Sequence, residues 1–110
     1  MIYGSRPVTP LYIACTYGQK EIVKLLLEKG AEVNAQGGEY GNSLQAAARW
    51  GHKEIVKLLL EKGAEVNTKG GEYGNALQAA TIWSHQDIVK MLLEKGADVN
   101  AEYLAKQVVN

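Results

Sequence analysis

The chain has a single cysteine, two prolines and no net charge. Cys15 on its own excludes an internal disulfide, and with only His52 and His85 to help it does not make a zinc site. A reducing compartment fits this usage. Twelve basic residues balance twelve acidic ones, so no overall field draws the chain to phosphate backbones or anionic lipid. Neither nucleic acid nor membrane is an expected partner. No apolar run approaches the roughly 18 residues of a membrane span, and Met1 to Pro10 lack the basic start and apolar middle of a signal peptide. The expected location is the cytoplasm. Gly37-Gly38 and Gly70-Gly71 are not followed by the lysine and Ser/Thr that complete a phosphate loop, and no nucleophile, base and oxyanion donor converge. The chain is not expected to be an enzyme or to need a cofactor.

What is present is repetition. Gly30-Ala31-Glu32-Val33-Asn34 recurs as Gly63 to Asn67 and again as Gly96-Ala97-Asp98-Val99-Asn100, a period of 33. Gly37-Gly38-Glu39-Tyr40-Gly41-Asn42 returns as Gly70 to Asn75 in the same register, and Leu44-Gln45-Ala46-Ala47 returns as Leu77 to Ala80. Thr9 to Ala14 aligns with Asn42 to Ala47, so three units are present. At 110 residues, 46% of them apolar, they amount to one folded domain.

Each unit carries the punctuation of two short helices. Thr9 is a good N-cap and Pro10 a good first helical residue, while Gly18 accepts the backbone that ends a helix. The first helix is predicted over roughly Pro10 to Tyr17. The second is predicted from about Lys20 to Lys29, with Ile22, Val23, Leu26 and Leu27 on one stripe and Gly30 as the stop. Val33 to Asn42 has no helical period and predicts a hairpin-like connection. One pair cannot close a core, so stability must come from stacking each pair on the next. Ala14, Ala46, Ala47, Ala79 and Ala80 supply the small side chains that close helix approach requires.

Thr9-Pro10-Leu11 with Ala14 resembles the Thr-Pro-Leu-His-x-Ala signature of the ankyrin repeat, and Gly63 to Asn67 resembles its closing Gly-Ala-Asp-Val-Asn. The resemblance covers roughly residues 4–102. It implies an all-α fold, an ankyrin-repeat solenoid of stacked helix-turn-helix units with hairpin-like connecting loops. The expected domain is 1–110, with units of about 4–36, 37–69 and 70–102 and a C-terminal tail, 103–110. The variant Tyr-Gly-Asn-(Ser/Ala)-Leu-Gln-Ala-Ala at positions 40–47 and 73–80 resembles the ankyrin arrays of fungal receptor-like proteins. Tyr12, Gln45 and Gln78 stand where the family has its signature histidine, so phenol and amide groups must tie adjacent units. Ser84 replaces the turn glycine of Gly18 and Gly51, which puts a residue that resists left-handed backbone at that turn.

The resemblance implies a protein partner, met by the hairpin tips and the first-helix surface. Carried over by position, the partner-facing set is Arg6, Val8, Thr16, Tyr17 and Lys29, then Glu39, Gly41, Arg49, Trp50 and Lys62, then Glu72, Gly74, Ile82, Trp83 and Lys95. Tyr17, Trp50 and Trp83 share one register and are expected to form a ladder of three aromatics, the ring type that binding hot spots favour. The competing expectation is that the indoles pack between turns. Lys29, Lys62 and Lys95 make a second ladder beside Arg49, balanced by Glu28, Glu61 and Glu94. Tyr40 and Tyr73 are expected to pack on neighbouring hairpins, His52 and His85 to be structural, Cys15 to be a small core residue and Asn34, Asn67 and Asn100 to bond hairpin backbone. That asparagine setting also resembles the hydroxylation sites of some ankyrin proteins. Two other functions remain open: weak self-assembly through repeat ends left apolar by Ile82, Met91, Val108 and Val109, and service as an engineered repeat scaffold.

Overall fold

The computed structural model describes residues 7–100, which form three helix pairs in sequence order. They are α1 (Pro10–Thr16) with α2 (Lys20–Glu28), α3 (Ser43–Trp50) with α4 (Lys53–Glu61), and α5 (Ala76–Ile82) with α6 (Gln86–Glu94). None of these helices is long and apolar enough to cross a membrane. The caps follow the side-chain chemistry. Thr9 Oγ1 accepts from the Tyr12 N–H at 3.1 Å, and Asn42 and Asn75 accept from Gln45 and Gln78 N–H at 2.9 and 2.8 Å.

The first helices α1, α3 and α5 stack as an inner layer, and α2, α4 and α6 form an outer layer behind them. Ala14, Ala46, Ala47, Ala79 and Ala80 are all buried, which lets the inner helices approach closely. Leu11, Leu44 and Leu77 repeat along the same core, joined from the outer layer by Val23, Val56, Leu59, Ile88 and Leu92. Among the described residues the connections contain no long strands, and the two complete hairpins are each held by one isolated bridge, Gln36 with Asn42 and Gly70 with Gly74.

The stripe of the outer helices is equivalent in sequence but not in burial. Ile22 is 48% exposed, whereas its counterparts Ile55 and Ile88 are each 2% exposed. Those two have a preceding unit to cover them, so stacking, not helix amphipathicity, decides whether this position is core. Exposed pairs Lys20–Glu54 at 3.8 Å and Lys53–Asp87 at 3.2 Å link successive outer helices and contribute little.

Cys15 is fully buried, and that burial pushes its thiol up to about 12. A water-soluble disulfide reagent is expected to modify it only at the rate of unfolding, so rapid labelling of the native protein would contradict the packing.

Ser84 makes the third turn in the same left-handed backbone as the glycines, at φ 60°. Glycine is required more strictly at the two earlier turns. A Cβ on Gly18 would stand 2.6 Å from His52 Cε1, and one on Gly51 the same distance from His85 Cε1. Both histidines of the chain are used at those two turns, so Ser84 bears only the backbone cost. Ser84→Gly is expected to raise stability by about 0.5–1 kcal/mol, a rise of roughly 2–8 °C in melting temperature. Calorimetry showing a lower midpoint would refute this.

Candidate functional site

Two of the residues that replace the signature histidine, Tyr12 and Gln45, tie one unit to the next. Tyr12 Oη accepts from the Tyr40 N–H at 2.9 Å, and Gln45 Nε2 donates to the Gly70 carbonyl at 2.8 Å. The hairpin tips are joined directly by the Glu72 N–H donating to the Glu39 carbonyl at 2.9 Å. Asn34 and Asn67 bond backbone, as expected, and the backbone they reach is that of the next unit. Asn34 donates to Gly63 O and accepts from the Glu65 N–H, and Asn67 makes the same pair of bonds to Gly96 and Asp98. His52 Nε2 lies 3.1 Å from the Thr16 carbonyl and His85 Nε2 lies 3.0 Å from that of Arg49. A carbonyl only accepts, so Nε2 carries the proton in both rings. These bonds use the histidines as struts between units.

The tyrosines form a ladder. Tyr12 stacks with Tyr40 at 6.4 Å between centroids, and Tyr40 stacks with Tyr73 at 6.4 Å, nearly parallel. Trp50 meets Tyr40 edge-on at 6.2 Å. Burial pushes the Tyr12 phenol above its ordinary range, and the same cause raises the Tyr40 phenol. The hairpin tyrosines therefore pack, as their spacing implied.

The expected ladder of Tyr17, Trp50 and Trp83 has a different construction. The two indoles do not stack on each other: the Arg49 guanidinium lies between them, with Cζ 3.8 Å from the Trp50 centroid and 3.7 Å from that of Trp83. Sequence spacing placed the rings in one register but gave no sign that the residue beside one of them would reach across. Each indole is packed against the guanidinium on one side, and Trp50 and Trp83 are still 43% and 45% exposed. Tyr17 is 71% exposed.

Between the first and second units the surface opens into a groove of about 540 Å³ lined by Val8, Ile13, Thr16, Tyr17, Trp50, Tyr40 and Glu39 among others. Ile13 was not singled out by the sequence because its counterparts Ala46 and Ala79 are core residues. A large apolar residue where the other units carry alanine was the available signal. Glu39 and Glu72 adjoin at the hairpin tips. Burial and the neighbouring Glu72 carboxylate hold the Glu39 acid above the ordinary glutamate range, while Arg49 pulls it the other way.

Other members of the expected set lie elsewhere. Ile82 ends α5, exposed and in the Arg49 register. Lys62 and Lys95 are the C-caps of α4 and α6. Lys95 lines a separate groove between those outer helices, with Lys53, Asp87 and Glu94. The lysine ladder therefore belongs to the outer layer and does not stand beside Arg49, which is held on the inner layer by the indoles. Arg6, Val108 and Val109 lie outside the described residues.

Comparison with known families adds one decisive match. The family model described as ankyrin repeats (3 copies) matches residues 3–70 and 40–103. The chain belongs to the ankyrin repeat family. No curated protein matches it. Ankyrin repeats are generally protein-interaction modules and typically non-catalytic, and here the interaction surface must be sought on the side chains this ankyrin frame leaves exposed.

Proposed function

We propose that this ankyrin stack binds a protein partner across its inner helices and hairpin tips, centred on the groove between the first and second units. The observation that carries the reading is the gathering of Val8, Ile13, Tyr17 and Trp50, all exposed, on one concave surface. Large apolar and aromatic side chains at a concavity, with a charged rim from Glu39, have the composition of an interface centre. Balanced overall charge leaves recognition to this local surface. A reducing, cytoplasmic setting is part of the proposal and rests on the lone cysteine.

Photo-crosslinking tests the placement. A crosslinker at position 17 is expected to trap the partner, and one at Lys57 on the outer helices is not. The Tyr17→Ala/Trp50→Ala double variant is expected to lose at least tenfold in affinity while remaining folded by circular dichroism. Trp50 also supports Arg49 and Tyr40, so its loss is expected to cost about 1–2 kcal/mol of stability as well. Equal trapping from both faces would remove the support for this surface.

A second reading, head-to-tail association of copies, draws on exposed Ile22 and Leu25 at one end and Leu93 and Val99 at the other. Sedimentation at rising concentration separates the readings: an unchanging monomer rules out association.

A further inference from the structure

Two registers of the repeat, taken together, show an interrupted pattern. Positions 17, 50 and 83 hold Tyr, Trp and Trp, and positions 16, 49 and 82 hold Thr, Arg and Ile. In the second and third units the pattern is complete, because Arg49 reaches between Trp50 and Trp83 at 3.8 and 3.7 Å from the two ring centroids. One unit earlier the arginine is replaced by Thr16, whose hydroxyl turns back to donate to the Tyr12 carbonyl at 2.9 Å. Thr16 is too short to reach between the rings, and the groove lined by Tyr17 and Trp50 stands open there.

We propose that this open slot takes an arginine side chain from an extended segment of the protein partner, with its guanidinium held between Tyr17 and Trp50. The inference rests on the protein-binding reading above and names the chemistry of its central contact. A planar, weakly hydrated guanidinium stacks on aromatic faces, whereas a lysine ammonium is compact and strongly hydrated. The fold already uses that preference once, with its own Arg49. The occupant must also be tolerated electrostatically, since Arg49 stands on the same indole. Glu39 lines the groove with Glu72 beside it and Arg49 near it, so this cluster holds two carboxylates and one arginine. A second cation balances that count. Mutual repulsion of the two acids, which helps to hold Glu39 above the ordinary glutamate range, would be relieved by it.

The probe is a five-residue capped peptide with a central arginine flanked by Gly and Ala, compared with citrulline, lysine and norleucine versions. Binding is followed through the indole N–H resonances of Trp50 and Trp83. The arginine peptide is expected to shift Trp50 far more than Trp83 and to bind roughly fivefold or more tightly than the uncharged citrulline peptide, as an aromatic–cation contact requires. Thr16→Arg, which supplies the missing side chain from within, is expected to abolish peptide binding without lowering the melting temperature. Glu39→Gln is expected to weaken binding and flatten its salt dependence. Equal affinity for the citrulline or norleucine peptide would show an apolar groove and overturn the proposal, as would unchanged binding by Thr16→Arg. Binding that emerges only in Arg6→Gln would mean that the chain's own arginine occupies the slot, and would overturn it too. A partner retained by Thr16→Arg but lost by Tyr17→Ala/Trp50→Ala leaves the protein-binding reading standing without the arginine. A partner retained by both variants removes that reading itself.

Discussion

Leucine in place of Ala47 is expected to lower the melting temperature by roughly 10–20 °C. Ala47 is fully buried in α3, the inner helix that stacks on α1 on one side and α5 on the other. Three extra carbons there have no cavity to enter, and overpacking of a tight core costs typically about 1–3 kcal/mol. The central unit sits at the high end of that range, because both stacking interfaces pass through it and each pair depends on its neighbours. About 2–3 kcal/mol in a domain of this size corresponds to the stated shift. Thr81→Leu, at an exposed position of α5, is the control and is expected to move the midpoint little. Thermal unfolding followed by circular dichroism decides the matter. A loss no larger than that of the control would mean that the inner helices are not held at alanine spacing.

Gly51→Ala is expected to cost about 2–3 kcal/mol, and less if His85 has been removed first. Two separate causes add. Gly51 has φ +76°, a left-handed backbone that costs an L-residue roughly 1–2 kcal/mol. Its new Cβ would also stand 2.6 Å from His85 Cε1, so the ring must move and give up its bond to the Arg49 carbonyl, which is worth about 1 kcal/mol. With His85→Ala in place only the backbone cost remains. The double-mutant cycle is therefore expected to show a coupling of about 1 kcal/mol, measured by urea unfolding of the four proteins. Strict additivity would refute the contact between the ring and the turn.

The same pair of residues marks how far the sequence was legible. The 33-residue recurrence of glycine and histidine identified both as framework, and the helix bounds followed to within a residue from Thr9, Pro10, Gly18 and Gly30. Periodicity could not say that the histidine of one unit stands over the glycine of the unit before, because that is a contact between residues 34 apart, as at 51 and 85. It gave Asn34 a bond to hairpin backbone, and the structure adds that this backbone belongs to the next unit.

The candidate site divides in the same way. Tyr17, Trp50 and Trp83 were visible as one register, and Arg49 as a charge beside it. That the guanidinium separates the two indoles, that Tyr12, Tyr40 and Tyr73 form the continuous ladder, and that Ile13 faces the groove all depend on how long side chains cross between stacked units. Lys62 and Lys95 shared a register too, yet stacking set them on the other layer.

By itself the sequence determined the repeat, its period, the helix pairs and the family, because those depend on local propensity and on spacing along the chain. Only the tertiary structure decided which equivalent residues are core and which are surface. Burial in a solenoid is conferred by the neighbouring unit, so Ile22 is exposed where Ile55 is buried, and Thr16 leaves open the space that Arg49 fills.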